Sequence, residues 1–353
     1  MIDYLEANFY KETEDLGYPY RKAYVDSIHR FIKKSHAKAT QTREKLYSSE
    51  EFLENQEKYR EKYLEMLGIP KKQEGYPKVK KEYVGQDELC LIYRLSIETM
   101  EDFFFYGMLF LPHGANNAPL VIAQHGGGGS PEFCSDMLGE NNYKFFTKRA
   151  LLHGIAVFAP QILVWGFGGN TGEKLPDYKI DYNRARIDSD LKMVGESITG
   201  LEIFNIMRSL DYLCGLPEIN PHKIGMMGVS YGGFFSLYTA AADPRIKAVY
   251  SGAAFNDKTQ VNFIDWTWKN SAHSFLDAEV AALCIPRKVV IDVGREDKVF
   301  DYAPSQSEAK RAQLYYKNAG ATSSFVYNLW DGGHTFDAES NGFECFFKSV
   351  LEA

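Results

Sequence analysis

The chain has 353 residues, of which 45% are hydrophobic and 25% charged, and carries a net charge of −7. That balance belongs to a globular protein with room for one elaborated domain or two. The acidic excess, without a basic cluster, argues against nucleic-acid or anionic-membrane binding, and the apolar runs are too short for a transmembrane helix.

Five dispersed cysteines (Cys90, Cys134, Cys214, Cys284 and Cys345) lack any C-x-x-C pairing. They suit thiols kept reduced and used as small hydrophobes. Residues Met1 to Glu6 show neither a basic n-region nor an apolar h-region, so the expected location is cytoplasmic. The eight histidines have no ligand spacing, which implies no metal.

Residues 1–75 are expected to form a helical extension. Val25, Ile28, Phe31 and Ile32 recur at helical spacing, as do Phe52, Tyr59, Tyr63 and Leu67. These apolar stripes are expected to pack on the main domain or on another subunit. Ser48 and Glu51 have the spacing of a capping box, and Gly68 with Pro70 marks a helix end.

From 76 to 111 the pattern is that of an antiparallel meander. Runs at 83–84, 89–97 and 103–111 are rich in β-branched and aromatic residues and are separated by polar turns. Beyond Ala118 the chain alternates strand and helix. Strands are expected at 120–123, 155–160, 223–229, 246–250, 288–293 and 324–330, with helices at 142–153, 199–214 and 234–242. This order predicts an α/β fold with a mostly parallel sheet covered on both faces. Two stretches, 161–197 and 252–283, read as irregular specificity segments within a 76–353 domain. They contain Trp165, Phe167, Trp266, Trp268 and His273. Their aromatics suit either a cleft rim or ordinary packing.

Parallel sheets present working residues beyond the C-terminal ends of their strands. The run Lys223 to Val229 ends in Gly228-Val-Ser230-Tyr-Gly232 and leads into a helix. On a strand–turn–helix, G-x-S-x-G holds a serine hydroxyl out of the backbone, and Tyr231 would offer its N–H to an oxyanion. The pentapeptide alone is weak evidence, because a glycine-rich turn that only caps a helix has the same sequence.

Three other strand ends strengthen it. His125 and Gly126 to Gly129 follow the first parallel strand. Contiguous glycines can turn backbone N–H groups of Gly126, Gly127 or Gly128 toward an anion, and they do not match the G-x-G-x-x-G dinucleotide pattern. An acidic loop, Glu296-Asp297, follows the strand at 288–293, and His334 follows the last strand. Serine, acid, histidine is the chain order of a triad on this fold. The imidazole takes the serine proton and the carboxylate fixes the imidazole tautomer. Asp297 is the candidate acid. Asp292 lies inside its strand, while Glu296 and Asp301 are within loop reach.

At these residues the chain resembles the α/β-hydrolase superfamily from about residue 80 onward. It is most similar to the acetyl-xylan-esterase-like and dienelactone-hydrolase-like branch, through the His125-Gly-Gly-Gly-Gly loop, Gly228-Val-Ser-Tyr-Gly-Gly, the 280–297 segment and Gly332-Gly-His334. The resemblance implies a cofactor-free serine esterase acting on small acylated or sugar-type esters. It implies Ser230 as nucleophile, His334 as base and Asp297 as acid. The implied oxyanion donors are Tyr231 and one glycine of 126–128. Dienelactone hydrolases carry cysteine where this chain has Ser230. The Ser-Tyr-Gly-Gly sequence also occurs in prolyl-oligopeptidase-like peptidases, whose N-terminal propeller 80 helical residues cannot form. The alternatives are therefore a peptidase or amidase, or a non-catalytic hydrolase fold kept for binding. The expected partner is a small ester, with a homo-oligomer left open.

Overall fold

Alternation along the central strands sorts the core into two layers. The computed structural model describes residues 8–71, 74–163, 182–261 and 263–353. One nine-stranded sheet contains β1 (Lys78–Gln86), β2 (Cys90–Met100), β3 (Phe103–Pro112), β4 (Ala118–Gln124), β5 (Ala156–Pro160), β6 (Ile219–Val229), β7 (Ile246–Gly252), β8 (Lys288–Gly294) and β9 (Phe325–Trp330). Their order is β1-β2-β3-β5-β4-β6-β7-β8-β9. The β1–β2, β2–β3 and β3–β5 pairs are antiparallel, and all others are parallel. The meander expected at the N-terminal edge is thus the antiparallel wing of an α/β sheet.

Leu120, Ile122, Ala156, Phe158, Ile224, Met226, Val289 and Ile291 face one layer. Their neighbours Val121, Ala123, Val157, Ala159, Met227, Val229 and Val290 face the other. A strand buried on both faces has no polar side, and this is why these segments read as unbroken apolar runs.

The N-terminal helices are α1 (Tyr18–Tyr47), α2 (Glu50–Glu54) and α3 (Gln56–Leu67). Short helices α4 (Pro131–Cys134) and α5 (Phe146–Leu152) precede β5, and α6 (Arg184–Met193) and α7 (Ile198–Leu213) precede β6. Then come α8 (Tyr231–Ala242), α9 (Ser271–Ser274), α10 (Asp277–Ala282), α11 (Tyr302–Asn318) and α12 (Asn341–Leu351). Side chains of α3, α7, α8, α10 and α11 fill the first layer, and those of α5 and α12 fill the second.

Phe52, Tyr59, Tyr63 and Leu67 are buried against the main core, as their spacing predicts. Arg60 donates to the carbonyls of Ala241 and Leu283, and the Tyr63 hydroxyl donates to that of Tyr238 at 3.1 Å. The other stripe behaves differently: Val25, Ile28, Phe31 and Ile32 are exposed on the first half of α1.

Local boundaries also shift. The Ser48–Glu51 capping box does not form. Ser49 is the N-cap of α2, and its hydroxyl donates to the Leu46 carbonyl instead. The helix expected at 142–153 starts only at Phe146, because Lys144 (φ 48°) and Phe145 (φ 60°) are left-handed. Within the segment read as irregular at 161–197 lies α6. Ser197 caps α7 by accepting from Gly200 N–H at 2.9 Å. Trp165 and Phe167 lie outside the described residues. The 252–283 segment contains a 3-10 turn at Ile264–Trp266 as well as α9 and α10.

Candidate active site

Ser230 joins β6 to α8 with φ 59° and ψ −124°. This conformation costs a non-glycine residue roughly 1–3 kcal/mol and persists only where surroundings enforce it. Here Ser230 N–H donates to Gly252 of β7 at 2.8 Å, and its carbonyl accepts from Phe234 N–H at 2.9 Å. The turn is so tight that a Cβ on Gly232 would collide with the Gln124 carbonyl, and one on Gly228 with the Gly232 backbone. The glycines of the motif are a packing requirement.

The loops after β8 and β9 are laid against each other. Arg295 N–H donates to Trp330 at 2.9 Å and Glu296 N–H to Gly332 at 2.8 Å. A side chain on Gly294 would strike the Gly332 and Gly333 carbonyls. This close approach brings His334 to Asp297, with Nδ1 2.8 Å from Oδ2. The other oxygen of Asp297 accepts from Val299 N–H at 2.7 Å and Phe300 N–H at 3.0 Å. Burial pushes the carboxyl up, but the hydrogen bond and charge of His334 and these two N–H donors outweigh it and hold Asp297 below its ordinary value. An ionised carboxylate only accepts, so the proton sits on His334 Nδ1 and Nε2 is the basic nitrogen.

The three other acids considered from sequence are elsewhere engaged or exposed. Asp292 is fully buried and accepts from the Tyr250 hydroxyl and, at 3.1 Å, from Asp337 N–H. Asp301 caps α11 through Ala303 N–H at 2.9 Å, and Glu296 is exposed.

The glycine loop after β4 lies beside the elbow, where a Cβ on Gly126 would stand 3.4 Å from that of Ser230. Gly126 N–H donates to the Tyr143 hydroxyl at 2.5 Å. This engagement takes Gly126 out of the three candidate oxyanion donors. Gly129 N–H closes a turn on the Gly126 carbonyl at 3.1 Å, and the Gly127 and Gly128 N–H groups stand outside that bond. His125 is buried and braces the loop. Its Nδ1–H donates to the Gly126 carbonyl at 2.9 Å, and its Nε2 accepts from Ile162 N–H at 3.2 Å. Burial pushes the imidazole down to about 4, so the ring stays neutral.

Three buried charges fasten the chain leaving β5. Arg184 of α6 meets Glu202 of α7 at 2.9 and 3.0 Å and Asp265 at 2.9 Å. It also donates to the Leu163 carbonyl, while Leu163 N–H donates to Glu202 at 2.5 Å. The Tyr231 hydroxyl donates to Asp265 at 3.2 Å, which ties this network to the elbow.

Aromatic rings then run from elbow to base. Tyr231 lies 4.9 Å from Trp266, Trp266 lies 5.9 Å from Phe300, and Phe300 lies 5.6 Å from His334. Trp266 and Trp268 are buried packing residues, and His273 is exposed on α9. A cavity of about 700 Å³ is lined by Glu65, Met66, Lys192, Glu196, Trp268 and Phe275, and by none of Ser230, Asp297 or His334. Among the described residues, no group of three or more His, Cys, Asp or Glu side chains is placed to hold a metal ion. No helix there is long and apolar enough to cross a membrane.

This sheet order, with the serine elbow after β6 and an Asp–His pair beyond β8 and β9, is that of the α/β-hydrolase fold. Comparison with known proteins agrees. Residues 205–321 match the family model described as X-Pro dipeptidyl-peptidase (S15 family). The "Putative hydrolase YtaP" of Bacillus subtilis is 26% identical over 229 residues, which cover 61% of this chain and 73% of that protein. Among solved structures, one described as a "putative acetyl xylan esterase" from Bacteroides fragilis superposes with a TM-score of 0.64 at 17% identity, covering 84% of this chain and 81% of that one. A glucuronoyl esterase from Solibacter usitatus gives 0.58 at 14% identity, covering 83% and 91%.

Tyr143, Arg184, Glu202, Asp265 and Phe300 escape sequence reading. Tyr143, Arg184, Asp265 and Phe300 sit in loops or a polar helix without a periodic signal, Glu202 is a lone carboxylate in the apolar helix α7, and only the close packing of distant segments gives them a role.

Proposed function

We propose that the protein is a serine carboxylic-ester hydrolase working through an acyl-enzyme, with Ser230 as nucleophile, His334 as base and Asp297 as orienting acid. The observation that carries this reading is the Asp297–His334 pair at 2.8 Å beyond the C-terminal ends of β8 and β9, on the same edge of the sheet as a serine held at φ 59° after β6. His334 Nε2 takes the Ser230 proton as Oγ attacks the ester carbonyl. The developing oxyanion is received by Tyr231 N–H and by Gly127 or Gly128 N–H. Collapse breaks the ester C–O bond, and the alcohol departs with the proton from His334. Water, deprotonated by the same nitrogen, then releases the carboxylic acid and restores Ser230.

The fold shared with acetyl xylan and glucuronoyl esterases favours small acylated or sugar-type esters, acetyl esters first. Five free cysteines, three of them buried, favour a reducing compartment such as the cytoplasm. Ser230→Ala is expected to keep the fold and to lower p-nitrophenyl acetate turnover by about 10⁴-fold or more. A fluorophosphonate probe should label the wild type at Ser230. Turnover retained in the variant would sink the assignment. The match to an X-Pro dipeptidyl-peptidase family over 205–321 favours a second reading, a peptidase. A higher kcat/KM for aminoacyl anilides than for short acyl esters would select it.

A further inference from the structure

Helix α1 is 30 residues long, about 45 Å at 1.5 Å per residue. Only its last third is seated. Ala39, Arg43 and Tyr47 are buried, with Arg43 on Glu279 at 3.0 Å and the Tyr47 hydroxyl on the Ser274 carbonyl at 3.0 Å. The first half carries Tyr20, Tyr24, Ile28, Phe31 and Ile32 into solvent, with Tyr20 79%, Tyr24 71% and Phe31 72% exposed. At about 100° per residue these five fall on the arc that Ala39 and Arg43 continue. The stripe that docks α1 on its own body therefore runs on, uncovered, for about four turns.

A helix rich in aromatic and β-branched residues gains little from propensity, and most helical stability in proteins comes from packing an amphipathic face. A contiguous apolar stripe of this kind marks an interaction site. The charges carried by the same segment identify what covers it. Residues 18–38 carry Arg21, Lys22, Arg30, Lys33, Lys34 and Lys38 against Asp26 alone. That is a charge of +5; with −7 for the whole chain, the remaining residues carry −12. Interleaved with apolar positions along the chain, these cations form no cluster in sequence, but the helix brings them together.

We propose that the first half of α1 docks on the acidic body of a second copy of this chain. The two helices are exchanged across a two-fold axis, so that each stripe is covered by the other subunit. Pairing two α1 helices would set +5 against +5, and a lipid surface acidic enough to attract the helix would repel the −12 body that follows it.

The test is the molar mass of the full chain by sedimentation and light scattering across protein and salt concentrations. The expected wild type is a dimer that weakens as NaCl screens the opposite charges. Tyr24→Asp with Phe31→Asp should weaken self-association by about 100-fold or more, with p-nitrophenyl acetate turnover and Tm retained. Lys33→Glu with Lys34→Glu, which leaves the apolar stripe intact, should also give a monomer. A wild-type chain monomeric throughout, a dimer unaffected by both double variants, or a dimer that tightens with salt would overturn the proposal. So would binding to phosphatidylglycerol vesicles without dimerisation.

Discussion

Tyr143 acts on the elbow without facing it. Its hydroxyl accepts from Gly126 N–H at 2.5 Å and fixes the first residue of the loop proposed to supply the second oxyanion donor. The ring is buried between Phe133 and Phe146, so Tyr143→Phe keeps the packing and removes only the acceptor. A buried N–H left unpaired costs about 1–3 kcal/mol, and the loop can recover it by turning Gly126 away from its present direction. The expected outcome is a kcat lowered about tenfold, with KM changed less than kcat, because oxyanion donors act mainly on the transition state. Steady-state kinetics on p-nitrophenyl acetate would show it, and an unchanged kcat would remove Tyr143 from the machinery. At this scale the placement of Ser230, Asp297 and His334 beyond strand ends was legible because each follows a strand visible as an apolar run. Tyr143 was not, because nothing in its neighbourhood marks which loop it will meet.

Whether an element was legible depended on what holds it in place. β4 to β8 carry runs buried on both faces and announce themselves by composition, the edge strand β9 by its aromatic and aliphatic residues, and α7 by an apolar stripe. Helix α6 has no such stripe, and its buried residues are Arg184 and Asp188. Asp188 accepts from Ile198 N–H at 3.1 Å, and Arg184 is clamped by Glu202 and Asp265. A helix placed by ion pairs carries no periodic signal, so 161–197 read as irregular. The stripe at Val25 to Ile32 gave the reverse case: it named a helix correctly but not its cover. Removing the cation of α6 tests how much the clamp matters. Arg184→Met would leave two carboxylates facing each other in the interior, and breaking a buried pair in this way costs about 3–5 kcal/mol. Arg184→Lys should restore little, since one ammonium cannot serve Glu202 in bidentate fashion and Asp265 together. Calorimetry should show a lowered Tm for both variants. Ester turnover should fall with it, because Tyr231 shares Asp265. A Tm unchanged in Arg184→Met would show that the clamp is not needed to seat α6.

Across the whole molecule, the sheet that positions the site also confines ionisable groups that the chemistry does not use. Asp292 lies within β8, two strands from β6, and burial pushes its carboxyl up to about 6 despite the hydrogen bonds from Tyr250 and Asp337. Its sign is opposite to that of Asp297. A carboxyl whose folded value is raised leaves stability untouched below the unfolded value of about 3.9. It lowers stability progressively as pH rises from there to about 6, at about 1.4 kcal/mol per unit, and holds the full cost above that. Asp297, with its value depressed, instead stabilises the fold above the unfolded value and loses that contribution as pH falls through its folded one. Asp292→Asn cannot ionise. Whatever constant packing difference the amide introduces, the stability of the variant relative to the wild type should rise by about 2 kcal/mol between pH 4 and pH 7. Turnover at the Asp297–His334 pair should be preserved. Urea melts of both proteins across that range measure the difference directly, and a difference that stays flat with pH would mean that Asp292 does not titrate there in the folded protein. The same measurement separates the two acids of the β8 segment by role, since one gains from its charge at neutral pH and the other only bears it.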